Sequence, residues 1–123
     1  MSGEYKQYYD GPGLFLKVPN WISQPYKDWL KEACVCIFTD KKATPHHLRC
    51  LGWGGTGLKP PDSHCLPINQ SVIHLPVHGY GELGVLKHWI PGGPELDDEI
   101  AKGWLAMKCL EHISMYLSLM RIK

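Results

Sequence analysis

Two groups of histidines constrain the fold of this chain more than any other feature. His46 and His47 are adjacent, and His74 and His78 stand four positions apart. The stretch 51–62 between the two groups carries four glycines and two prolines, which exclude a helix or a regular strand there. We therefore expect two short extended segments joined by a shaped loop and followed by a helix. On a helix, the i, i+4 spacing puts His74 and His78 on one face.

The composition is that of one folded domain. The chain has 123 residues, of which 44% are hydrophobic and 20% are charged, so neither disorder nor a fibrous repeat fits. Its formal net charge is +1, so any affinity for nucleic acid must come from a local patch. The sequence lacks an apolar run of about 18 residues and a signal-peptide pattern, which predicts an intracellular, cytoplasmic protein without a membrane partner. Five cysteines without a secretory signal favour reduced thiols or metal ligation over disulfides.

The N-terminal quarter of the chain divides into an arm and the start of a domain. Residues 1–22 are rich in Tyr, Gly and Pro and are predicted to form an extended arm, followed by a single domain over 23–123. Ser23 is predicted to cap a helix over about 24–33. The short apolar segment 34–38, followed by a turn, predicts a strand or a zinc-knuckle-like hairpin.

Short apolar runs and helical periodicity predict the remaining elements. Segments 45–50 and 64–68 are expected to be extended and to lie beside each other. A short helix is predicted over 71–79, capped by its first residue, and a further helical turn is predicted within 83–90. Apolar residues recur at steps of three and four over 100–120, which predicts a C-terminal helix of about 25 residues.

Three imidazoles, two from a helix and one from the hairpin, make a set of metal ligands. Three nitrogen ligands leave coordination positions open for water and for a phosphate oxygen, which is the pattern of catalytic metal sites. Adjacent side chains on a strand point to opposite sides, so His46 and His47 cannot both bind one ion without distortion. One of the two is therefore predicted to bind metal, and its neighbour is predicted to have a different role.

Several short motifs carry a resemblance to a known family. They are Tyr26-Lys-Asp-Trp29-Leu30, Cys34-Val-Cys36, His46-His47-Leu48-Arg49, Gly54-Gly55-Thr-Gly57-Leu58-Lys59-Pro60-Pro61-Asp62, Leu66-Pro67, His74 to His78 and Gly81-Glu82. Over about residues 24–105 the chain resembles the small phage and prophage HNH endonucleases, relatives of the recombination-enhancement nuclease group. The resemblance implies an α+β protein with a ββα-metal (HNH) hairpin-plus-helix core, flanked by an N-terminal helix and a long C-terminal helix.

The resemblance also implies an activity, the metal-dependent hydrolysis of DNA phosphodiester bonds. In such proteins the first histidine of the adjacent pair binds metal and the second is the general base. This assigns one divalent ion to His46, His74 and His78, and the activation of water to His47. A general base needs a pKa near neutrality, which an imidazole has. Imidazoles favour the later transition metals, whereas hydrolysis often uses Mg²⁺, so Mg²⁺, Mn²⁺, Ni²⁺ and Zn²⁺ all stay candidates.

Three further residues are predicted to act at the site. Arg49 follows the histidine pair and its guanidinium fork suits a phosphate, which predicts a catalytic and DNA-binding role. Lys59 is predicted to contact a DNA phosphate, with a solvated lysine as the alternative. Asp62 is predicted to brace the loop and to orient His47, with a plain turn residue as the alternative.

The chain departs from the family pattern in its cysteines. Relatives carry a Cys-x2-Cys pair before the histidines and a cysteine after the second strand, where this chain has Cys34-x-Cys36 and Asn69. A structural zinc on cysteines is therefore not expected. Cys34 or Cys36 together with Cys50 and Cys65 is the combination that would remain for one.

Two questions of function stay open at the level of sequence. A metal-stabilised binding module without catalysis, such as a phage inhibitor or an adaptor to nucleic acid or protein, is the alternative to a nuclease. His47 argues against such a module, which needs ligands but has no use for a base. The apolar face of the C-terminal helix is larger than a core of this size can cover, so a homodimer through this helix is predicted.

Overall fold

The structure, a computed structural model, describes residues 21–51, 60–73 and 81–122. Most of the predicted arm lies outside the described residues, and so do Lys59, His74 and His78. The described elements are helix α1 (Gln24–Ala33), strands β1 (Thr44–His47) and β2 (Cys65–Ile68), and helices α2 (Gln70–Ile73), α3 (Gly81–Lys87) and α4 (Asp98–Ile122). Short 3₁₀ helices occupy Asp62–His64 and Gly93–Glu95. The fold is mixed α/β, with a two-stranded antiparallel sheet and a long C-terminal helix.

Helix α1 begins at a side-chain cap and a proline. The Ser23 hydroxyl accepts a hydrogen bond from the Tyr26 amide at 3.2 Å, and Pro25 lies in the first turn, where its missing N–H is not needed. The helix ends at Cys34, whose backbone is extended. The predicted helix over 24–33 and its serine cap are therefore confirmed.

Strands β1 and β2 form the sheet that positions the adjacent histidines. They pair antiparallel, with His46 opposite Leu66 and His47 opposite Cys65. Both strands are shorter than the predicted segments 45–50 and 64–68. His64 belongs instead to the 3₁₀ helix that leads into β2.

The apolar segment 34–38 contains no strand in the structure. It makes one isolated bridge, between Val35 and Lys42, and a turn follows. The turn closes because the Cys36 amide donates to the Lys41 carbonyl at 2.8 Å. Of the two predicted forms, a strand or a knuckle-like hairpin, the tight hairpin agrees with the structure.

The helices after β2 begin differently from the prediction. The Asn69 side-chain oxygen accepts a hydrogen bond from the Ser71 amide at 2.9 Å, so the residue before α2 acts as its cap. The predicted cap at Ser71 is wrong, because asparagine reaches the free amides of the first turn from one position outside the helix. α2 is described only as far as Ile73, and the rest of the predicted helix 71–79 lies outside the described residues. α3 takes the place of the further helical turn predicted within 83–90.

The two faces of the hairpin belong to two different cores. Side chains alternate along a strand, so Leu66 shares a face with His46, while Cys65 shares a face with His47. The His46-face core consists of Cys36, Ala43, Leu48, Leu66, Ile68, Val72, Leu86, Ile90, Ala101, Leu105 and Cys109. The His47-face core consists of Tyr26, Leu30, Cys65, Ile113 and Tyr116.

Helix α4 packs against both cores and so connects them. Its first half packs Ala101 and Leu105 into the His46-face core, and its second half packs Ile113 and Tyr116 into the His47-face core. Asp97 begins the helix by accepting the Glu99 amide at 2.9 Å. The helix has 25 residues, so the predicted length is confirmed.

We expect Asn69→Ala to lower the free energy of unfolding by about 1 to 2 kcal/mol in chemical denaturation. The asparagine caps α2 and its amide also donates to the Lys42 carbonyl at 2.6 Å, which ties the knuckle-like turn to the end of β2. Asn69→Asp is the matched control, because it keeps the capping oxygen and loses the donor. Its stability should lie between those of the other two proteins, and an Asn69→Ala protein as stable as wild type would contradict this role.

Candidate functional site

The adjacent histidines point to opposite faces of the hairpin, and each contacts a carboxylate. His46 Nε2 lies 2.9 Å from an oxygen of Glu82, and His47 Nε2 lies 2.8 Å from an oxygen of Asp62. The two imidazole side chains keep exposed fractions of 25% and 18%. One dipeptide therefore presents two imidazoles, each with a carboxylate partner, and both can be reached from solvent.

The carboxylate of Asp62 is buried and connects three parts of the chain. Its side chain is 4% exposed. One oxygen contacts His47, and the other accepts the Ser23 amide at 2.7 Å, at the start of α1. The Lys27 ammonium lies 3.7 Å from that second oxygen and adds a positive charge next to the buried carboxylate. The structure thus places Asp62 beside His47, in the geometry that orients an imidazole.

Glu82 forms the corresponding contact on the other face of the hairpin. Besides contacting His46, it accepts a hydrogen bond from the Cys50 amide at 2.8 Å, so it ties α3 to the turn that follows β1. Burial raises the pKa of Glu82, but hydrogen bonds from His46 and from the Cys50 amide outweigh burial and hold the pKa below its ordinary value. Glu82 is therefore an ionised acceptor at neutral pH.

The two hydrogen bonds fix which ring nitrogen of each histidine has a lone pair. An ionised carboxylate can only accept, so the Nε2 atoms that contact Glu82 and Asp62 carry the protons. In the neutral imidazole the other nitrogen, Nδ1, then has the lone pair. In this tautomer Nδ1 is, in each imidazole, the ring atom whose chemistry suits binding a metal or accepting a proton.

A group that could hold a metal ion lies on the His47 face. The ligand atoms of His47, Asp62 and Cys65 all lie within 4.8 Å of one another. Among residues 21–51, 60–73 and 81–122, no other set of three or more such ligands is found. The predicted triad of His46, His74 and His78 differs from this group, and two of its members lie outside the described residues.

Of the two residues predicted to contact DNA, one is described by the structure and the other is not. Arg49 is exposed in the turn that follows β1, next to the histidine pair. Lys59 lies outside the described residues. Lys27 and Glu82 lie at the site and were not predicted to act there. Cys65 was named only as a candidate ligand of a structural zinc on cysteines, which was not expected. For Glu82 the sequence holds a usable signal, because the Gly81-Glu82 pair is one of the motifs that carry the family resemblance.

None of the five cysteines, all of which are described, forms a disulfide in the structure. Burial, and after it the charge of Glu82, raises the pKa of the Cys50 thiol. Burial also raises the pKa of Cys34 and of Cys109. For Cys36, burial raises the pKa, but hydrogen bonds from the Thr39 hydroxyl and from several backbone amides outweigh burial and lower it. These amides make the knuckle-like turn around Cys36 a closely hydrogen-bonded unit.

Comparisons of the chain with protein-family models, with curated proteins and with solved structures found no match. In the described part of the chain, no helix has the length and apolar character that crossing a membrane requires.

We expect the Glu82 contacts to stabilise metal-free protein at neutral pH and to fail in acid. A carboxyl group whose pKa is lower in the folded state stabilises the fold above its unfolded pKa of about 4.3, and this contribution is lost as the pH falls through the folded value. Glu82→Gln should lower the free energy of unfolding by about 1 to 2 kcal/mol at pH 7. Denaturation in the presence of a chelator should show the difference from wild type shrinking below about pH 4. A difference that is constant across this range would contradict the assignment.

Proposed function

We propose that the chain is an HNH-type, metal-dependent endonuclease that hydrolyses DNA phosphodiester bonds. The observation that carries the proposal is the His47–Asp62 contact on an antiparallel hairpin, directly beside a second imidazole–carboxylate pair. Phosphodiester hydrolysis needs a base for the attacking water and positive charge for the phosphate. In this proposal His47 would supply the base, and an ion held by His46 would supply the charge. The resemblance to phage and prophage HNH endonucleases supports the same function from the sequence.

His47 is the general base in this proposal, and Asp62 is its positioning residue. With Nε2–H donated to Asp62, the Nδ1 lone pair accepts the proton of the attacking water. The buried carboxylate holds the ring in one orientation and stabilises the imidazolium that forms, as the aspartate of a Ser-His-Asp triad does. The Ser23 amide and the Lys27 ammonium both contact the Asp62 carboxylate, so its negative charge is compensated in the buried position.

His46, with His74 and His78, would hold the divalent ion. The donor chemistry of the described part fits an ion, because histidines that bind metals usually donate their other ring N–H to a carboxylate, as His46 donates to Glu82. A bound Mg²⁺, Mn²⁺, Ni²⁺ or Zn²⁺ supplies positive charge that stabilises the phosphate and the leaving oxygen. Arg49 is exposed beside the histidines, and its guanidinium would bind a neighbouring phosphate of the DNA.

The alternative function is a metal-stabilised binding module that has no catalytic role. Hydrogen bonding around His47 bears on this choice. A module needs the metal ligands alone, whereas a buried carboxylate that fixes the tautomer of a partly exposed imidazole is the arrangement of a base. The nuclease is therefore the function that the described geometry supports better.

The C-terminal helix supports a homodimer as the functional assembly. Beyond its buried face, α4 carries a second line of residues at alternating steps of three and four, which is the spacing of a coiled-coil seam. This exposed seam consists of Ile100, Gly103, Met107, Leu110, Ser114 and Leu117. A second copy of the helix would cover it, and two active sites at a fixed spacing suit the cutting of both strands.

The central test of the nuclease is the variant His47→Ala. Cleavage of a panel of nicked, branched, single-stranded and duplex DNA should fall by about 100-fold to 10,000-fold, the usual contribution of a positioned base. The Mg²⁺ content of Mg²⁺-loaded protein, measured by elemental analysis, should stay close to that of wild type because His47 is not one of the three ligands proposed for the catalytic ion.

His88→Ala is the matched control for this test. His88 is exposed in the turn after α3 and contacts the carbonyl of Gly84, away from the histidine pair in the chain, so its replacement should leave cleavage unchanged. If His47→Ala cuts as fast as wild type, the base assignment is wrong. If wild-type protein cuts none of these substrates with Mg²⁺, Mn²⁺ or Zn²⁺, the binding module replaces the nuclease.

The dimer is tested by placing a charge in the exposed seam. Leu110→Glu should convert the dimer to a monomer in light scattering at tens of micromolar, because two glutamates would face each other across an apolar contact. Leu119→Glu is the matched control: Leu119 has the same exposure within error (44% against 42%) but lies on the other side of the helix. A wild-type monomer at this concentration, or equal loss of dimer in both variants, would contradict the seam.

A further inference from the structure

We propose that His47, Asp62 and Cys65 form a second metal site that binds Zn²⁺, on the opposite face of the hairpin from His46. The geometry of these residues and their surroundings supports the binding of the ion whether or not the protein is a nuclease. Its consequence for catalysis, inhibition by Zn²⁺, rests on the proposed function, because it follows from the role of His47 as the base.

The hairpin register brings two of the three ligands directly opposite each other. Leu48 donates its amide to the His64 carbonyl at 3.0 Å, so the pair 48 and 64 is a hydrogen-bonded pair of the ladder. In an antiparallel ladder the next pair is then the narrow one, in which side chains lie closer together. That pair is His47 and Cys65, and both side chains point to the His47-face core.

Asp62 completes the group from the 3₁₀ helix that precedes β2. Its second oxygen is held by the Ser23 amide, which fixes the carboxylate next to His47 without any contribution from a metal. All three ligand atoms lie within 4.8 Å of one another, whereas the corners of a tetrahedral zinc site are about 3.4 to 3.8 Å apart. The three side chains would therefore draw together around the ion when it binds.

The donor set selects the kind of ion. Thiolate, imidazole and carboxylate together are typical zinc ligands, whereas Mg²⁺ requires oxygen ligands and keeps several waters. Cys65 is fully buried and Asp62 nearly so, so water cannot replace these ligands easily. The site should therefore discriminate strongly in favour of Zn²⁺ over Mg²⁺, unlike the set of histidines on the other face.

Near Cys65 lies a buried hydrogen-bond donor that has no acceptor among the described residues. The Tyr26 hydroxyl is buried and has no hydrogen-bond partner there. Tyr26 packs in the same core as Cys65 and is close enough for the charges of the two groups to interact. A metal-bound thiolate accepts hydrogen bonds, and such donors tune metal sites. The orphan hydroxyl is thus an independent sign that charge can be accommodated here.

Binding to this site would remove His47 from catalysis. The Cys65 thiol releases its proton to solvent when the thiolate binds. An ion at Nδ1 of His47 occupies the lone pair that accepts the proton of water, and an ion at Nε2 displaces the hydrogen bond to Asp62. Either way the imidazole cannot act as a base, so Zn²⁺ at this site should inhibit cleavage that Mg²⁺ or Mn²⁺ supports.

Co²⁺ titration of the full chain tests the site directly, since a cobalt–thiolate bond gives a near-ultraviolet charge-transfer band. The band is expected in wild type and in His46→Ala, which lacks a proposed ligand of the first site. It should disappear in Cys65→Ser and persist in the matched control Cys34→Ser, which changes another thiol near Tyr26. A wild type without the band, a band that persists in Cys65→Ser, or a band lost equally in Cys34→Ser overturns the proposal.

Two further measurements keep the test decisive. If circular dichroism shows that Cys65→Ser does not fold, His47→Gln replaces it, and its Co²⁺ affinity should fall by about 100-fold; unchanged affinity would overturn the site. In folded, active protein, the Zn²⁺ concentration that halves Mg²⁺-supported cleavage should rise at least tenfold in Cys65→Ser, each protein being compared with its own uninhibited rate. A protein that cuts no DNA but shows the expected cobalt spectra would refute the nuclease and leave the metal site standing.

Discussion

The buried carboxylate of Asp62 is the interaction on which the arrangement of this molecule depends. A carboxylate removed from water is costly unless hydrogen bonds and positive charge surround it. Asp62 obtains these from the Ser23 amide, from His47 and from Lys27, which belong to the start of α1, the end of β1 and α1 itself. Satisfying one charge therefore fixes the position of the N-terminal helix relative to the hairpin. The same contact sets the orientation of an imidazole.

The alternation of side chains along β1 gives two adjacent histidines two separate environments. His46 faces the core built on α3 and the first half of α4, and its partner Glu82 is 36 residues away. His47 faces the core built on α1 and the second half of α4. A shift of the strand register by one residue would exchange the two environments and would separate each imidazole from its carboxylate. Both cores, by specifying the register, specify the chemistry of both histidines.

The helices of this protein could be predicted from the sequence more completely than the long-range contacts between side chains. The helix over 24–33 and the long C-terminal helix follow from local signals, a cap and a periodicity, and both are confirmed. For the segment 34–38 the sequence predicted a strand or a knuckle-like hairpin, and the tight hairpin forms because backbone hydrogen bonds close it locally. Contacts of Glu82, Lys27 and Cys65 join residues far apart in the chain, and no local pattern encodes which distant side chain meets which. The predicted ligands His74 and His78 stay predictions, since they lie outside the described residues.

The length of α4 has a consequence for the surface of the protein. At 1.5 Å per residue, 25 residues extend over about 37 Å, which is more than the core of a domain of this size can line on one face. Among the residues whose burial is described, the last buried one is Tyr116, and Leu117, Leu119 and Met120 after it are exposed. When a helix is apolar on two faces, the face that the core leaves uncovered is exposed to water, and this exposure is unfavourable. Among the described residues, the exposed face that bears Leu110 and Leu117 extends over several turns of α4, which is why the proposed homodimer is placed there.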